Sequence, residues 1–213
     1  MPTTAALQQR KRAQQRRQYL SEDAIERKQQ ILEAAAKLFR ERGYHNTSLQ
    51  DIADELGVTR PALYHYFANK EDILFEVAIN AAKDSRRRLE EYFRSDAAPE
   101  GKLRRAVTGY VHELLHDPAL QWIVIVQGSE TLPQKRYKIV RQLLREHDRW
   151  LVEMYKEGVE KGVFVDVDPQ IAVFGMAGMC NWLLRWYRPS GRLGPDAIAD
   201  VFVRILERGY LVT

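Results

Sequence analysis

His112 and His116 stand one helical turn apart, with Glu113 beside the first of them, in the order His-Glu-x-x-His. On a helix this spacing puts two imidazoles on one face to hold a zinc ion and sets a carboxylate next to them to activate water, the equipment of a metal-dependent hydrolase. The pattern fixes only three residues, so it arises by chance in roughly one chain of this length per hundred. A third ligand is also needed, for which Glu130 and His147 are the candidates, and no strand follows to align a substrate. The expectation is therefore two histidines satisfied on a helix surface with no metal or other cofactor, and a zinc hydrolase using Glu113 is the alternative. No Ser-His-Asp set, phosphate-binding loop or dinucleotide fingerprint points to another enzyme class, and none is expected.

A second group of residues suits recognition. Between Thr47 and Tyr66, an eight-residue amphipathic stretch, a Gly57-Val58 turn and a second short stretch opening at Thr59-Arg60 have the spacing of a helix-turn-helix. Ile52, Ala53, Leu56, Val58 and Leu63 supply its small core, which leaves Thr59, Arg60, Pro61, Ala62, Tyr64 and His65 outside. Arg60 can reach guanine edges, Pro61 and Ala62 can pack on thymine methyls, and Tyr64 and His65 can donate to phosphates.

The charge distribution agrees. Residues 1–70 carry 12 Lys and Arg against 8 Asp and Glu, whereas residues 71–213 carry 21 of each, so the whole net charge of +4 lies at the N-terminal end. Arg10, Arg12, Arg16 and Arg17 fall in a stretch of 20 residues without an acid, which reads as a flexible basic arm attracted to a polyanion. The lone Cys180 sits in an apolar run and implies a buried thiol in a reducing compartment. The most apolar stretch, 171–184, is 14 residues long and contains Asn181, too short and too polar for a bilayer, so no membrane partner is expected.

The elements that position these residues read as helices throughout, about nine of them, in an all-α fold. Asp23 with Glu26 reads as a capping box opening a helix to Arg42, stopped by Gly43. Thr47 with Gln50 reads as a second box, for a helix through Leu56 that ends at Gly57; Thr59 caps a third, with Pro61 in its first turn. Asn69 caps a long helix over about 70–93, whose Glu71 and Asp72 complement the helix dipole. After a loop at 95–101, helices are expected at 101–116, 118–129, 133–161, 169–187 and 195–211, the last two opened by Asp168-Pro169 and Gly194-Pro195. The organisation expected is a basic arm at 1–22, a helix-turn-helix domain at 23–70, and a helical ligand-binding and dimerisation domain at 71–213.

Residues 43–77, GYHNTSLQDIADELGVTRPALYHYFANKEDILFEV, resemble the N-terminal signature of the TetR family of bacterial repressors. The likeness lies in the Gly-Tyr followed by Thr-Ser, the Ile-Ala pair, the Gly-Val-Thr turn and the Leu-Tyr-x-Tyr-Phe-x-x-Lys-Glu ending, with Tyr66 in place of a common His. The resemblance implies that Thr47, with Ser48 beside it, starts a helix against phosphate, that Thr59, Arg60, Pro61 and Ala62 face bases, and that Tyr64, His65 and Lys70 clamp phosphates. It also implies a homodimer that sets two recognition helices in successive major grooves, about 34 Å apart, on a palindromic operator. Such a protein would work in the bacterial cytoplasm, at the nucleoid. A DNA-binding protein with an architectural role and no ligand response is the other alternative.

Residues 176–192 read MAGMCNWLLRWYRPSGR, and this pattern resembles members of the same family that respond to acyl-coenzyme A thioesters in fatty-acid or sterol-ring breakdown. By that likeness Trp122, Ile123, Val126, Phe174 and Met179 would line an acyl cavity beside Trp182 and Trp186, and Arg185 and Arg188 would meet phosphates. Trp182 and Trp186, one turn apart, serve equally well as core or dimer-interface aromatics. Gly175 and Gly178 favour close helix approach, and with Ile198, Val201, Phe202 and Ile205 they are the expected dimer seam.

Overall fold

The computed structural model describes residues 4–125 and 131–210, and for residues 4–21, 122–125 and 210 it describes the course of the helix alone. Ten helical segments appear among the described residues: α1 (Thr4–Arg42), α2 (Leu49–Glu55), α3 (Arg60–Tyr64), α4 (Lys70–Phe93), α5 (Pro99–His116), α6 (Pro118–Ile125), α7 (Gln134–Glu160), α8 (Pro169–Asn181), α9 (Leu183–Trp186) and α10 (Pro195–Tyr210). They form two compact units that divide within α4, between Leu74 and Phe75.

In the first unit, α1 packs on α2 and α2 on α3. Ile31, Ala35, Leu38 and Phe39 recur at three and four spacing on α1 and are buried, as are Ile52, Ala53 and Leu63. The helix does not open at Asp23 as expected: no glycine or proline stands between Thr4 and Arg42, and the stretch is rich in Ala, Gln and Arg, so nothing interrupts it. Arg10, Arg12, Arg16 and Arg17 therefore lie on α1, and their side chains are outside the description.

The turn after α2 is a Schellman motif. Gly57 takes φ +63°, its N–H donates to the Asp54 carbonyl at 3.2 Å, and Val58 N–H donates to the Ala53 carbonyl at 3.0 Å. Only glycine enters that region without a Cβ penalty, and this turn sets the angle at which α3 leaves α2.

In the second unit α5 is the central helix and packs against α6, α7, α8, α9 and α10. Its Val107, Val111 and Leu114 join Cys180, Leu183, Ile198 and Val203 in one cluster. Leu103 joins Tyr155, Phe164, Val173 and Met176 in a second, and Ala106 joins Leu89 and Met154 in a third. The single helix expected at 169–187 is divided at Trp182 into α8 and α9, with Asp168 capping α8 through the backbone N–H groups of Gln170 and Ile171.

Candidate nucleic-acid interface and cavity

The N-terminal cap of α2 is Ser48 rather than Thr47. Asp51 N–H donates to Ser48 Oγ at 3.1 Å and Ser48 N–H donates to Asp51 Oδ2 at 2.7 Å, a reciprocal capping box. Thr47 is fully buried, and its hydroxyl donates to the Gly43 carbonyl at 2.9 Å, which removes it from any phosphate contact. Two adjacent hydroxyl residues competed for one cap, and burial of the Thr47 side chain beneath the turn at Gly43 decided it.

Lys70 is half-buried beside the same turn. Its ammonium donates to the carbonyls of Tyr44 at 2.7 Å and Thr47 at 2.5 Å, and lies 4.3 Å from the Tyr44 ring centroid. Burial pushes its pKa down. Lys70 thus fixes the loop between α1 and α2 through two of the three N–H donors of its ammonium.

Thr59, Arg60, Pro61, Tyr64 and His65 are all exposed on α3 and its flanks, and Ala62 is half-buried. Thr59 caps α3 without a side-chain hydrogen bond. Arg60 donates to Tyr64 Oη at 2.9 Å and its guanidinium lies 5.7 Å from that ring, so the two side chains hold each other on the outer face of a five-residue helix.

The second unit holds a partly open cavity of about 380 Å³. Apolar side chains of α4, α5, α6, α7 and α8 make most of its wall, among them Leu89, Val107, Leu120, Leu151 and Met176. Ser85, Tyr110, His147, Asp148, Cys180 and Asn181 are its polar members. Tyr110 donates to Asn181 Oδ1 at 2.6 Å, and His147 Nδ1 lies 3.4 Å from Asp148 Oδ1. Burial pushes the Cys180 thiol up to about 12 and raises Tyr110 as well, so both stay protonated.

Of the residues expected around a cavity, Phe174 lines it. Met179, Trp182, Arg185, Trp186 and Arg188 are not on its wall; Trp182 and Trp186 are 61% and 46% exposed, and both arginines are exposed. Val126 and the side chains of Trp122 and Ile123 lie outside the described residues. The polar wall of Ser85, Tyr110, His147 and Asp148 was missed because these residues come from three helices with no local spacing to betray them.

Of the expected dimer seam, Gly175, Gly178 and Ile205 are exposed and Val201 is half-buried. Ile198 is buried in the α5 core of its own chain with Phe202 packed against that core, so Ile198 is not open to a partner.

The His-Glu-x-x-His residues are engaged elsewhere. His112 Nε2 lies 2.9 Å from Asp196 Oδ1, and His116 Nδ1 lies 2.9 Å from the His112 carbonyl. Glu113 pairs with Arg88. Among the described residues no three potential ligands come together to hold a metal.

Comparison with known proteins converges on one class. A model for bacterial regulatory proteins of the tetR family matches residues 31–77, and one for the tetracyclin repressor-like C-terminal domain matches residues 96–210. The chain belongs to the TetR family and is a DNA-binding, ligand-responsive transcriptional regulator. It is 28% identical over 187 residues to the HTH-type transcriptional repressor KstR2 of Mycobacterium tuberculosis, covering 86% of this chain and 92% of that one. The structure of that ketosteroid regulator superposes with a TM-score of 0.78 at 27% identity, over 88% and 96% of the two chains. AibR, crystallised with isovaleryl coenzyme A and operator DNA, gives 0.77 at 28% identity over 84% and 97%. PfmR of Thermus thermophilus gives 0.74 at 35% identity over 84% and 97%. Neither the hydrolase nor the architectural reading finds support among these relatives. No helix among the described residues is long and apolar enough to cross a membrane.

Proposed function

We propose that the protein is a repressor that holds a palindromic operator as a homodimer and releases it when the acyl end of an acyl-coenzyme A thioester enters the cavity of the second unit. The observation that carries this reading is the cavity itself, mostly apolar and of a size suited to a small ligand. AibR, crystallised with isovaleryl coenzyme A and operator DNA, supplies the chemical class. Thr59, Arg60, Pro61 and Ala62 would read bases, and Ser48, Tyr64 and His65 would meet phosphates, with the arginines of α1 adding attraction that falls with salt. The site of action is the bacterial cytoplasm, on nucleoid DNA, and no metal or other cofactor is needed.

The face that would pair two chains is carried by α8, α9 and α10, where Ile171, Phe174, Trp182, Trp186 and Ile205 are exposed. Open space stands where a Cβ would be at Gly175 and Gly178, so a partner helix can approach closely. Phe174 and Gly178 belong both to this face and to the cavity wall, so α8 is the thin partition between them. A ligand pressing on α8 would therefore alter the face that sets the distance between the two α3 helices. The coupling equals the ligand's preference for the released form over the DNA-bound form, commonly about 1 to 3 kcal/mol.

The experiment that tests this reading is fluorescence anisotropy on DNA from upstream of the protein's own gene, against scrambled DNA, with and without acyl-coenzyme A thioesters of graded chain length. Specific binding that one thioester abolishes supports it. Specific binding untouched by every thioester removes the effector, and equal binding to scrambled DNA removes the regulator mechanism.

A further inference from the structure

Two of the residues that line the cavity, Phe174 and Gly178 on α8, are exposed, and across from them on α7 the side chain of Asp148 is 48% exposed. The wall therefore reaches solvent between α7 and α8, and a ligand longer than the cavity leaves it there. At the roughly 30 Å³ that a water-sized unit takes in a liquid, 380 Å³ holds about a dozen non-hydrogen atoms, so most of a coenzyme A thioester must lie outside. Phe174 and Gly178 also belong to the face that would pair two chains, which leaves α7 as the side of the opening along which the rest of the ligand can run.

Asp148 stands at the border of a basic stripe on that helix. Lys138, Arg141, Arg145 and Arg149 follow one another at spacings of three and four, which sets them on one side of α7, and all four are exposed. Leu144, His147 and Leu151 line the cavity from the adjoining side. No acid occurs from 131 to 145, and Glu146 is turned to Arg86 on α4. Among the described residues the four cations of the stripe make no ion pair, whereas Arg86, Arg88, Lys102 and Arg104 are each paired with a glutamate on another helix. Like charges one turn apart destabilise a helix, and nothing in the fold of the second unit offsets these. The stripe is built to meet an anion.

We propose that the phosphates of the effector's coenzyme A lie on this stripe, with Arg141 and Arg145 as the principal contacts, while the acyl end fills the cavity. This rests on the acyl-effector reading above and says where the charged end of that ligand goes. A guanidinium meets phosphate oxygens in pairs, which favours arginine for the task. From Asp148 back to Arg141 is seven residues, about 10 Å of helix, which leaves room for the uncharged arm between thioester and phosphates to run along α7. Arg185 and Arg188, the expected phosphate contacts, are off the cavity wall, and Arg188 donates to the Tyr187 carbonyl.

The test is calorimetric titration of the full chain, at low salt, with octanoyl-coenzyme A and with S-octanoylpantetheine, which keeps the acyl end and the arm and has no phosphate. Both are repeated on Arg141→Gln/Arg145→Gln and on Arg185→Gln/Arg188→Gln, which removes the same charge from another place. The expected result is that octanoyl-coenzyme A binds about tenfold tighter than S-octanoylpantetheine, since each exposed pair contributes up to about fivefold. That gap should close to threefold or less in Arg141→Gln/Arg145→Gln, with S-octanoylpantetheine binding as to wild type and the melting temperature unchanged. It should narrow less in Arg185→Gln/Arg188→Gln. Equal binding of the two compounds by wild type, a gap that survives in Arg141→Gln/Arg145→Gln, or an equal or larger narrowing in Arg185→Gln/Arg188→Gln overturns the proposal and leaves an acyl effector in place. Absence of binding by both compounds, repeated with butanoyl and dodecanoyl chains, overturns the acyl reading and this inference with it.

Discussion

Tyr110 donates its hydroxyl to Asn181 Oδ1 across 2.6 Å and so ties the middle of α5 to the last residue of α8 at the wall of the cavity. Removing the donor by Tyr110→Phe leaves the amide oxygen unsatisfied in a mostly apolar space, a loss of about 1 to 2 kcal/mol. On a chain of this size that lowers the melting temperature by a few degrees, and differential scanning fluorimetry reads it directly. An unchanged melting temperature would mean that the bond holds nothing together.

Gly158 is buried where the Phe164 ring folds back over α7, and a Cβ added there would stand 2.1 Å from Phe164 Cδ2. The ring is itself buried and cannot swing away, so Gly158→Ala is expected to cost about 1 to 3 kcal/mol as overpacking. Urea denaturation of the purified variant gives the number. A wild-type midpoint would show that α7 shifts to make room.

The capping box at α2 makes a pH-dependent prediction. The hydroxyl and N–H of Ser48 hold the Asp51 carboxyl below its ordinary value of 3.8, with Arg42 adding less. A depressed carboxyl contributes stability that is present above 3.8 and is lost as pH falls through its folded value. Asp51→Asn should therefore be less stable than wild type at pH 7, with the difference shrinking below pH 3.8. Ser48→Ala should lose about 1 kcal/mol at neutral pH, whereas Thr47→Ala should lose packing and a buried bond but no cap. Equal urea midpoints for Asp51→Asn and wild type at pH 7 would contradict the box.

These residues also mark where the sequence was legible. Asn69 caps α4 through Asp72 N–H at 2.8 Å and Asp168 caps α8, because a short polar side chain before a helix start has one dominant use. The choice between Thr47 and Ser48 could not be read, since both carry a hydroxyl and only tertiary burial separates them. The start of α1 was misplaced for a related reason: Asp23 and Glu26 have capping-box spacing, yet a helix without a breaker runs straight through. The exposed face of α3 was readable because its alternation with Ile52, Ala53 and Leu63 is local. The cavity was not, because its wall is assembled from five helices over nearly a hundred residues.

Arg60 and Lys70 should separate reading DNA from holding the domain together. Arg60 is exposed, so Arg60→Ala is expected to leave the melting temperature near wild type and to cost about 1 to 3 kcal/mol on operator DNA with little loss on scrambled DNA. Lys70→Met breaks two bonds to the carbonyls of Tyr44 and Thr47, so it should lower the melting temperature. A Lys70→Met protein of normal stability that binds all DNA weakly would return Lys70 to the phosphate backbone.

The proposed coupling joins operator recognition on α3 to an acyl-binding cavity in the second unit. Its most direct test is the anisotropy of the wild-type protein on labelled operator DNA as octanoyl-coenzyme A is added at fixed salt. Tight, sequence-specific binding is expected that falls as the thioester saturates the cavity, with no fall in a variant whose cavity is filled by Ala106→Phe and that still binds DNA. Operator binding that the thioester leaves unchanged across chain lengths, or that falls equally in the filled variant, would contradict it.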